Sequence, residues 1–484
     1  MKNKLIKTVC SLVVLCLSLT LSPVRSQSEM LEIPGSQENL ANAKEQLRAF
    51  DCSSVNNVPK VECEALVALY NSTNGAGWAT STNWLVTTSV DDWYGVVVEA
   101  GHVISVDLSS NQLSGSIPPE LGNLSNLLSL FMSSNQLSGS IPPELGSLSN
   151  LLVLSLRSNQ LSGSIPPELG DPPNLIFLSL YGNHLTGSIP PELGSLSNLQ
   201  SLYLYSNQLN GSIPSVLGNL VNLKYLELNE NQLIGTIPPE LGGLGNLQSL
   251  RLDSNQLTGT IPPELGSLGN VQSLSLMSNQ LTGTIPPELG SLGSLQHLAL
   301  SDNQLTGTIP PELGSLSNLQ GLYLNNNQFS GSIPAELGGL GNLLYFYLES
   351  NQLTGTIPPE LGSLGNLQYL FLMSNQLTGT IPCELGSLSN LEGLLLFSNQ
   401  LSGAIPPELG NLTKLRFLYF NDNKLSGSIP LSFINLTSLN TFHFFDTFLC
   451  EPISPEFLAW KATVDDWQGT GFVCSFLYLP CINR

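Results

Sequence analysis

The chain has 484 residues, of which 11% are charged, and its 36 acidic against 15 basic residues give a formal net charge of −21 at pH 7. Nucleic acids and anionic membranes both require clustered Lys and Arg, so this balance argues against either as a partner. Much of the acidic charge recurs at fixed positions, which favours one extended repeat structure over several globular domains.

Residues 1–26 have the features of a secretory signal peptide. A lysine-containing start (2–7) precedes an apolar run (9–21) and a small-residue cleavage site (24–26). The apolar run is too short to span a bilayer comfortably, and no later segment is long enough to do so. Removal of the signal takes away four basic residues, leaving 11 basic against 36 acidic residues and a net charge of −25. We therefore expect a secreted protein, extracellular or at the cell surface, with no membrane span.

Residues 27–102 are predicted to form an N-terminal cap on the structure that follows. The segment 63–70 carries apolar side chains at helical spacing, which predicts a short helix. Four large aromatic residues supply bulk to cover an open end of the core: Trp78, Trp84, Trp93 and Tyr94.

From residue 103 to residue 438 the sequence repeats every 24 residues, fourteen times. The frame is L-x-x-L-x-L-x-x-N-x-L-x-G-x-I-P-x-x-L-G-x-L-x-x, as in the copy 247–270. A period of this length means one supersecondary unit stacked many times. The invariant asparagines of the frame are Asn111, Asn135, Asn159, Asn183, Asn207, Asn231, Asn255, Asn279, Asn303, Asn327, Asn351, Asn375, Asn399 and Asn423.

Each part of the frame predicts a local structure. The L-x-L core alternates, so Leu250 and Leu252 point inward from one short strand while their neighbours point outward. The asparagine amide can satisfy the backbone groups of a tight bend, and stacked copies predict a buried hydrogen-bonded column. Gly259 permits a backbone geometry closed to other residues, and the Ile-Pro-Pro step predicts convex turns and 3₁₀ segments. The predicted fold class is therefore an α/β repeat, a solenoid with a concave parallel β-sheet.

This frame resembles that of leucine-rich-repeat proteins of the plant-specific type, whose mark is the L-x-G-x-I-P segment. Ectodomains of plant receptor kinases, receptor-like proteins and polygalacturonase inhibitors share it, and the resemblance implies a recognition role. The N-terminal cap departs from the family in one respect. Where the family has a Cys-x-Trp-x-Gly-Val-x-Cys pair, this chain has Asp91 and Val98 at the two cysteine positions.

Residues 439–484 are predicted to form a C-terminal cap. Six cysteines remain after the signal, and an exported protein normally oxidises its cysteines. We pair Cys52 with Cys63 inside the N-terminal cap and Cys450 with Cys474 across the C-terminal cap. Cys383 and Cys481 are left over.

The outward strand positions lie six, four and two residues before each asparagine, giving 42 sites. Aromatic residues fill fourteen of them, whereas the repeat region holds only eighteen aromatics. Large apolar patches on a surface often bind ligands, so we predict a binding face here. The alternative is that these rings stabilise the sheet by cross-strand contact alone. The residues predicted to form the face are Phe177, Tyr181, Tyr203, Tyr205, Tyr225, Arg251, Asp253, Tyr323, Tyr345, Tyr347, Tyr369, Phe371, Phe417 and Tyr419, with Phe131 isolated before them and Phe397 among the last.

Three roles stay open for this face. A protein or peptide ligand would use the rings as anchors, with charged side chains setting its orientation: Arg157, Glu227, Arg251, Asp253, Glu349 and Arg416. A polysaccharide would stack on the same rings, and a structural role at the cell surface needs no ligand. The family resemblance and the absence of tryptophan from the repeats favour a protein or peptide.

Catalysis, a metal and a cofactor are not predicted. The four histidines lie in different turns, and no nucleophile with a neighbouring base, paired catalytic carboxylates or phosphate loop occurs at useful spacing. The Pro-Pro-Glu step places a carboxylate in twelve of the fourteen repeats. One carboxylate per turn falls short of the six to eight oxygens that calcium takes, so a structural role at the start of each 3₁₀ segment is favoured.

Overall fold

The computed structural model describes residues 50–474. All the elements described below lie in one compact unit that begins at Asp51. The predicted signal peptide and Cys481 lie outside the described residues. Within residues 50–474, no helix is long and apolar enough to cross a membrane.

A sheet of seventeen strands runs the length of the repeats. Only the first pair is antiparallel, and every later strand pairs in parallel with the strand of the next turn. Pairing is in register, so Leu226, Leu250 and Leu274 stack in one buried row. The fold class predicted from the period is confirmed. The strands are Val96–Glu99, His102–Asp107, Ser129–Phe131, Val153–Ser155, Phe177–Ser179, Ser201–Tyr203, Tyr225–Glu227, Ser249–Arg251, Ser273–Ser275, His297–Ala299, Gly321–Tyr323, Tyr345–Tyr347, Tyr369–Phe371, Gly393–Leu395, Phe417–Tyr419, Thr441–His443 and Asp466–Gln468.

The ladder asparagines form the hydrogen-bonded column that their spacing predicts. Asn255 Nδ2 donates to Leu228 O (3.0 Å) in the preceding turn and to Leu252 O (3.1 Å) in its own turn. Its Oδ1 accepts from the backbone N–H of Leu233 at 2.9 Å. The same pattern recurs at Asn279. Each amide therefore joins two turns, and the residue before it, such as Ser254, takes a positive φ of 55° to make the bend.

Short strands follow the asparagine turns, off the concave sheet, and pair in parallel in small groups. In the frame copy Gln256–Thr258 is such a strand, and Gly259 follows it with φ of 77°, as the sequence predicts. These strands are Ser114–Ser116, Gln136–Gly139, Gln160–Ser164, His184–Thr186, Ile234–Thr236, Gln256–Thr258, Thr306–Gly307, Gln328–Gly331, Gln352–Leu353, Ser402–Gly403, Lys424–Ser428 and Phe448–Cys450.

One 3₁₀ helix per repeat lines the convex side, as the Ile-Pro-Pro step predicts. Neighbouring helices pack so closely that a Cβ added to Gly266 would lie only 2.5 Å from the carbonyl oxygen of Glu288. A second asparagine series adds one bond per turn here, for example Asn270 Nδ2 to Gly245 O at 2.7 Å. The helices are Pro119–Asn123, Pro143–Ser147, Pro167–Gly170, Pro191–Ser195, Ser215–Asn219, Pro239–Gly243, Pro263–Ser267, Pro287–Ser291, Pro311–Ser315, Ala335–Gly339, Pro359–Ser363, Cys383–Ser387, Pro407–Asn411 and Leu431–Asn435.

The N-terminal cap contains helix α1 (Lys60–Ser72) and three 3₁₀ turns, Cys52–Ser54, Gly75–Gly77 and Val90–Asp92. The indoles of Trp78, Trp84 and Trp93 are buried and in ring contact, whereas Tyr94 is 44% exposed. The first ladder asparagine bonds to the cap: Asn111 Nδ2 donates to Thr80 O at 2.8 Å. The cap thus supplies the partner that a preceding repeat would supply. The predicted Cys52–Cys63 disulfide is confirmed.

The C-terminal cap contains helix α2 (Pro455–Lys461) and the last concave strand. Trp460 is buried and its indole N–H donates to Leu436 O at 3.2 Å. Trp467, on the last strand, donates to Glu451 Oε1 at 3.0 Å. The predicted disulfide between Cys450 and Cys474 is confirmed. Cys383 is exposed and forms no disulfide within residues 50–474.

The repeat pattern continues one turn into the segment that the sequence assigns to this cap. Thr441–His443 is a concave strand, and Thr447 stands 24 residues after Asn423, at the next ladder position. Its hydroxyl donates to Phe444 O at 2.6 Å and accepts from the backbone N–H of Leu449 at 3.3 Å. A threonine thus closes the asparagine column.

Candidate ligand-binding face

Most of the aromatic side chains predicted for the concave face lie on it in two separate clusters. Within each cluster the rings contact one another. We call Phe177, Tyr181, Tyr203, Tyr205 and Tyr225 the N-terminal aromatic cluster. Tyr323, Tyr345, Tyr347, Tyr369 and Phe371 form the C-terminal aromatic cluster. Parallel in-register pairing brings some rings directly beside the ring 24 residues away, as with Tyr345 and Tyr369. Other rings contact a diagonal neighbour on the next strand, as Phe177 contacts Tyr203.

In the N-terminal aromatic cluster, Tyr181 and Tyr205 stack with ring centroids 4.1 Å apart and planes at 12°. Tyr203 contacts Phe177 at 5.6 Å and Tyr225 at 6.2 Å. Burial raises the pKa of Tyr203 and of Tyr205, so both hydroxyls stay protonated at neutral pH. These rings form a continuous apolar surface over three turns.

The prediction that these rings are exposed is wrong at two positions, where the ring is buried. Phe177 is 8% and Tyr203 6% exposed. Tyr203 has rings on both sides, whereas Phe177 lies between Tyr203 and the Val153 position of the preceding strand. Asp253 is also buried, at 4% exposure, beneath its ion pair with Arg251. The half-buried rings of Tyr181, Tyr205 and Tyr225 therefore form the accessible surface of this cluster, whose edge is set by Arg157.

In the C-terminal aromatic cluster, Tyr347 and Phe371 stack at 4.5 Å with planes at 5°. Tyr345 stacks on Tyr323 at 6.4 Å and on Tyr369 at 6.0 Å. All five rings are half-buried. Burial raises the pKa of Tyr347 to about 12.

Two glycines leave room for these rings. A Cβ on Gly321 would lie 2.6 Å from the Tyr323 ring, and a Cβ on Gly393 would lie 2.8 Å from the Tyr369 ring. Both glycines occupy outward strand positions at the two ends of the cluster. The rings at each end of the cluster therefore occupy space that a larger side chain at 321 or 393 would fill.

Polar contacts extend the face beyond this cluster. Tyr369 donates to Glu392 Oε2 at 3.1 Å, and Arg416 lies 3.8 Å from the same carboxylate. The Arg416 guanidinium also lies over the ring of Phe417, 5.3 Å from its centroid. Phe397 contacts Tyr419 at 6.1 Å.

The concave face extends beyond the predicted residues, to His443 and Phe445. Tyr419 contacts His443 edge-to-face at 4.6 Å, and His443 in turn contacts Phe445 at 6.1 Å. His443 Nε2 also lies 2.7 Å from Asp466 Oδ2 on the last strand. The available signal was the L-x-x-L-x-L spacing, which is kept with phenylalanine at 442 and 444 although the ladder asparagine is replaced.

The turns between the two clusters carry smaller and more polar side chains on the concave face. Their outward positions hold an ion pair and small side chains, including Ser273, Ser275 and Ala299. Arg251 donates from Nε and Nη2 to the two carboxylate oxygens of Asp253, both at 3.2 Å. Burial lowers the pKa of His297 in this segment, which keeps its imidazole neutral at neutral pH.

Between residues 50 and 474 there is no group of three or more His, Cys, Asp or Glu side chains that could hold a metal ion. The face offers stacked rings, hydroxyls and a few carboxylates, which are the groups of a recognition surface.

Models of leucine-rich repeats match most of the repeat region. The model described as "Leucine-rich repeat region" matches 206–332, and "Leucine Rich repeats (2 copies)" matches 173–216. "Leucine Rich Repeat" matches 102–124, 126–148, 150–171, 342–364, 366–388, 390–412 and 414–436. No curated protein sequence matches the chain.

Among solved structures, the Arabidopsis receptor kinase HAESA, in complex with the peptide hormone IDA and the co-receptor SERK1, is 33% identical. That match covers 84% of this chain and 73% of HAESA, with a TM-score of 0.69. This protein therefore belongs to the leucine-rich-repeat family.

Two further matches show the range of its relatives. The plant peptide hormone receptor RGFR1, in complex with RGF2, is 42% identical over 75% of this chain, with a TM-score of 0.73. A leucine-rich-repeat protein of Leptospira interrogans is 36% identical over 74% of this chain and 88% of its own, with a TM-score of 0.60. The chain spans 58% of the RGFR1 structure and 63% of a TDR receptor structure.

Proposed function

We propose that this chain is an exported, non-enzymatic recognition protein that binds a protein or peptide through its concave aromatic face. The observation that carries the proposal is the placement of the rings: fourteen of the eighteen aromatics between 103 and 438 occupy outward strand positions. Cross-strand stabilisation alone would not require them to gather in two clusters with small polar residues between. Large accessible aromatic surfaces are typical of binding sites.

The arrangement of the rings favours a protein or peptide over a polysaccharide. A sugar stacks on a free ring face, but here the faces of Tyr181 and Tyr205, and of Tyr347 and Phe371, cover each other. Stacking leaves fewer ring faces free for a sugar, whereas the partly exposed rings and the tyrosine hydroxyls can still contact apolar side chains and hydrogen-bonding groups. RGFR1 is a plant peptide hormone receptor and HAESA was solved in complex with the peptide hormone IDA, which supports the same choice.

An extracellular site of action is part of the proposal. It rests on the predicted signal peptide and on two disulfides, which form and persist in oxidising compartments. The similarity to receptor ectodomains agrees with it.

A display selection tests the proposed function. Peptides and small domains are selected on the oxidised chain 27–484 and then measured on a variant carrying Tyr205→Ser, Tyr345→Ser and Tyr347→Ser. These three rings are half-buried, so their removal spares the core. Tyr94→Ser, which removes a 44% exposed tyrosine from the N-terminal cap, is the matched control.

We expect most selected binders to lose at least tenfold in affinity on the concave variant and to keep it on the control. Truncation of a few central aromatic anchors commonly costs about 2 kcal/mol or more. Equal binding by both variants, with circular dichroism and melting unchanged, would leave the rings with a structural role only.

A further inference from the structure

Beside each aromatic cluster lies one carboxylate that, among residues 50–474, forms no ion pair within 4 Å. Glu227 lies between Tyr203 on the preceding strand and Arg251 on the following strand. Arg251, however, is engaged with Asp253 through two hydrogen bonds. Within residues 50–474 no ion pair under 4 Å and no hydrogen bond engages the Glu227 carboxylate. Burial raises its pKa, and Arg251 only partly opposes that effect.

Glu349 is the corresponding carboxylate of the C-terminal aromatic cluster. It lies two residues after Tyr347, facing the same side of the sheet. Its Oε2 is buried and has no hydrogen-bond partner. Burial raises its pKa to about 7, a hydrogen bond with its own backbone partly opposes that rise, and the negative charge of Asp302 adds to it. A half-buried carboxylate without an ionic partner costs free energy that a bound cation would offset.

The repeat fixes the separation of the two carboxylates. They lie five turns apart, which at about 4.8 Å per turn is about 24 Å along the sheet. The outward positions between them carry no further net charge, since Arg251 and Asp253 compensate each other. An extended chain advances about 3.3 Å per residue, so this separation corresponds to about seven residues.

We propose that the concave face selects ligands with two cationic side chains about seven residues apart, one bound at Glu227 and the other at Glu349. The inference rests on the proposed function and specifies the ligand chemistry for the same face. A lysine or arginine stem would lie along the ring edges of its cluster while its head forms a charge-assisted hydrogen bond to the carboxylate.

Synthetic peptides provide the probe. The probe is an acetylated, amidated Ser/Leu peptide with two lysines at the inferred separation of about seven residues. One control peptide has its two lysines about three residues apart. A second control peptide has norleucine in place of both lysines. Affinities for the oxidised chain are measured at pH 8 by calorimetry. The variants are Glu227→Gln, Glu349→Gln and both together. The control, Glu264→Gln with Glu288→Gln, removes the same charge from two exposed convex positions.

We expect the widely spaced peptide to bind at least about tenfold more tightly than the closely spaced one. Each concave substitution should cost it about tenfold, the energy of one hydrogen bond to a charged group. The convex control should change its affinity less than twofold.

Equal losses in the concave and convex variants, or no dependence on lysine spacing, would overturn the inference. Failure here is distinguishable from failure of the proposed function. Ligands from the display selection that lose affinity with the tyrosine substitutions but not with Glu227→Gln or Glu349→Gln would keep the face and reject the cationic specificity.

Discussion

Substitution of one ladder asparagine tests how the column contributes to stability. In Asn255→Ala the backbone N–H of Leu233, a fully buried residue, loses its acceptor. The carbonyls of Leu228 and Leu252 lose one donor each but keep Asn231 and Asn279. One orphaned buried donor costs about 1–3 kcal/mol, and the lost bonds add to it, so we expect about 2–4 kcal/mol.

The effect should also be local, because each turn of a solenoid contacts only its neighbours. Hydrogen exchange should accelerate in the turns around residue 255, with the end turns little changed, and urea unfolding gives the total. Asn270→Ala is the matched control, since its exposed amide makes a single bond and should cost about 0.5–1.5 kcal/mol. Equal costs for the two substitutions would refute the role assigned to the buried column.

Three further predictions concern packing, protonation and the caps. Gly266→Ala should destabilise the protein by about 1–3 kcal/mol, because the added Cβ would meet the next turn. Gly269→Ala, with open space around the added Cβ, should be neutral or stabilising. Urea unfolding of the two variants compares these effects. The pKa of Glu349 is raised, so the folded state binds the proton more tightly and wild-type stability should fall as pH rises from about 4.5 to 7. Unfolding at pH 5 and 8 should therefore show that Glu349→Gln stabilises only at pH 8, by no more than about 1–2 kcal/mol given the partial exposure of this side chain. Replacing Cys450 and Cys474 with serine should speed hydrogen exchange in the last turns while leaving the central repeats unchanged.

The repeat made much of the fold predictable. The 24-residue spacing specifies which leucines face inward and which positions face outward, so the concave location of Tyr345 or Phe371 follows from counting back from an asparagine. Sequence comparison between copies could not predict that Phe177 and Tyr203 are covered, because burial depends on how neighbouring rings lean on each other. The turn closed by Thr447 was not predicted either, because it lacks the asparagine that marks every other turn.

Chemistry on the face was less predictable than its position. The outward charges were visible in the sequence, but their pairing was not. Arg251 bonds to Asp253 in its own turn and forms no hydrogen bond to Glu227, a pairing that depends on side-chain geometry. The roles of Gly321 and Gly393 were likewise not predictable from the sequence, because they depend on how the neighbouring rings lie over them.

Site-specific photo-crosslinking tests the central claim, that ligands bind on the concave face, most directly. A benzophenone amino acid replaces Met277 or Met373, both at outward concave positions, or Val221 or Ile234, both exposed away from the concave sheet. Each protein is irradiated with a ligand from the display selection, and the crosslinked fraction is quantified. The account predicts strong crosslinking from at least one methionine position and background levels from the other two. Crosslinking mainly from Val221 or Ile234 would contradict it.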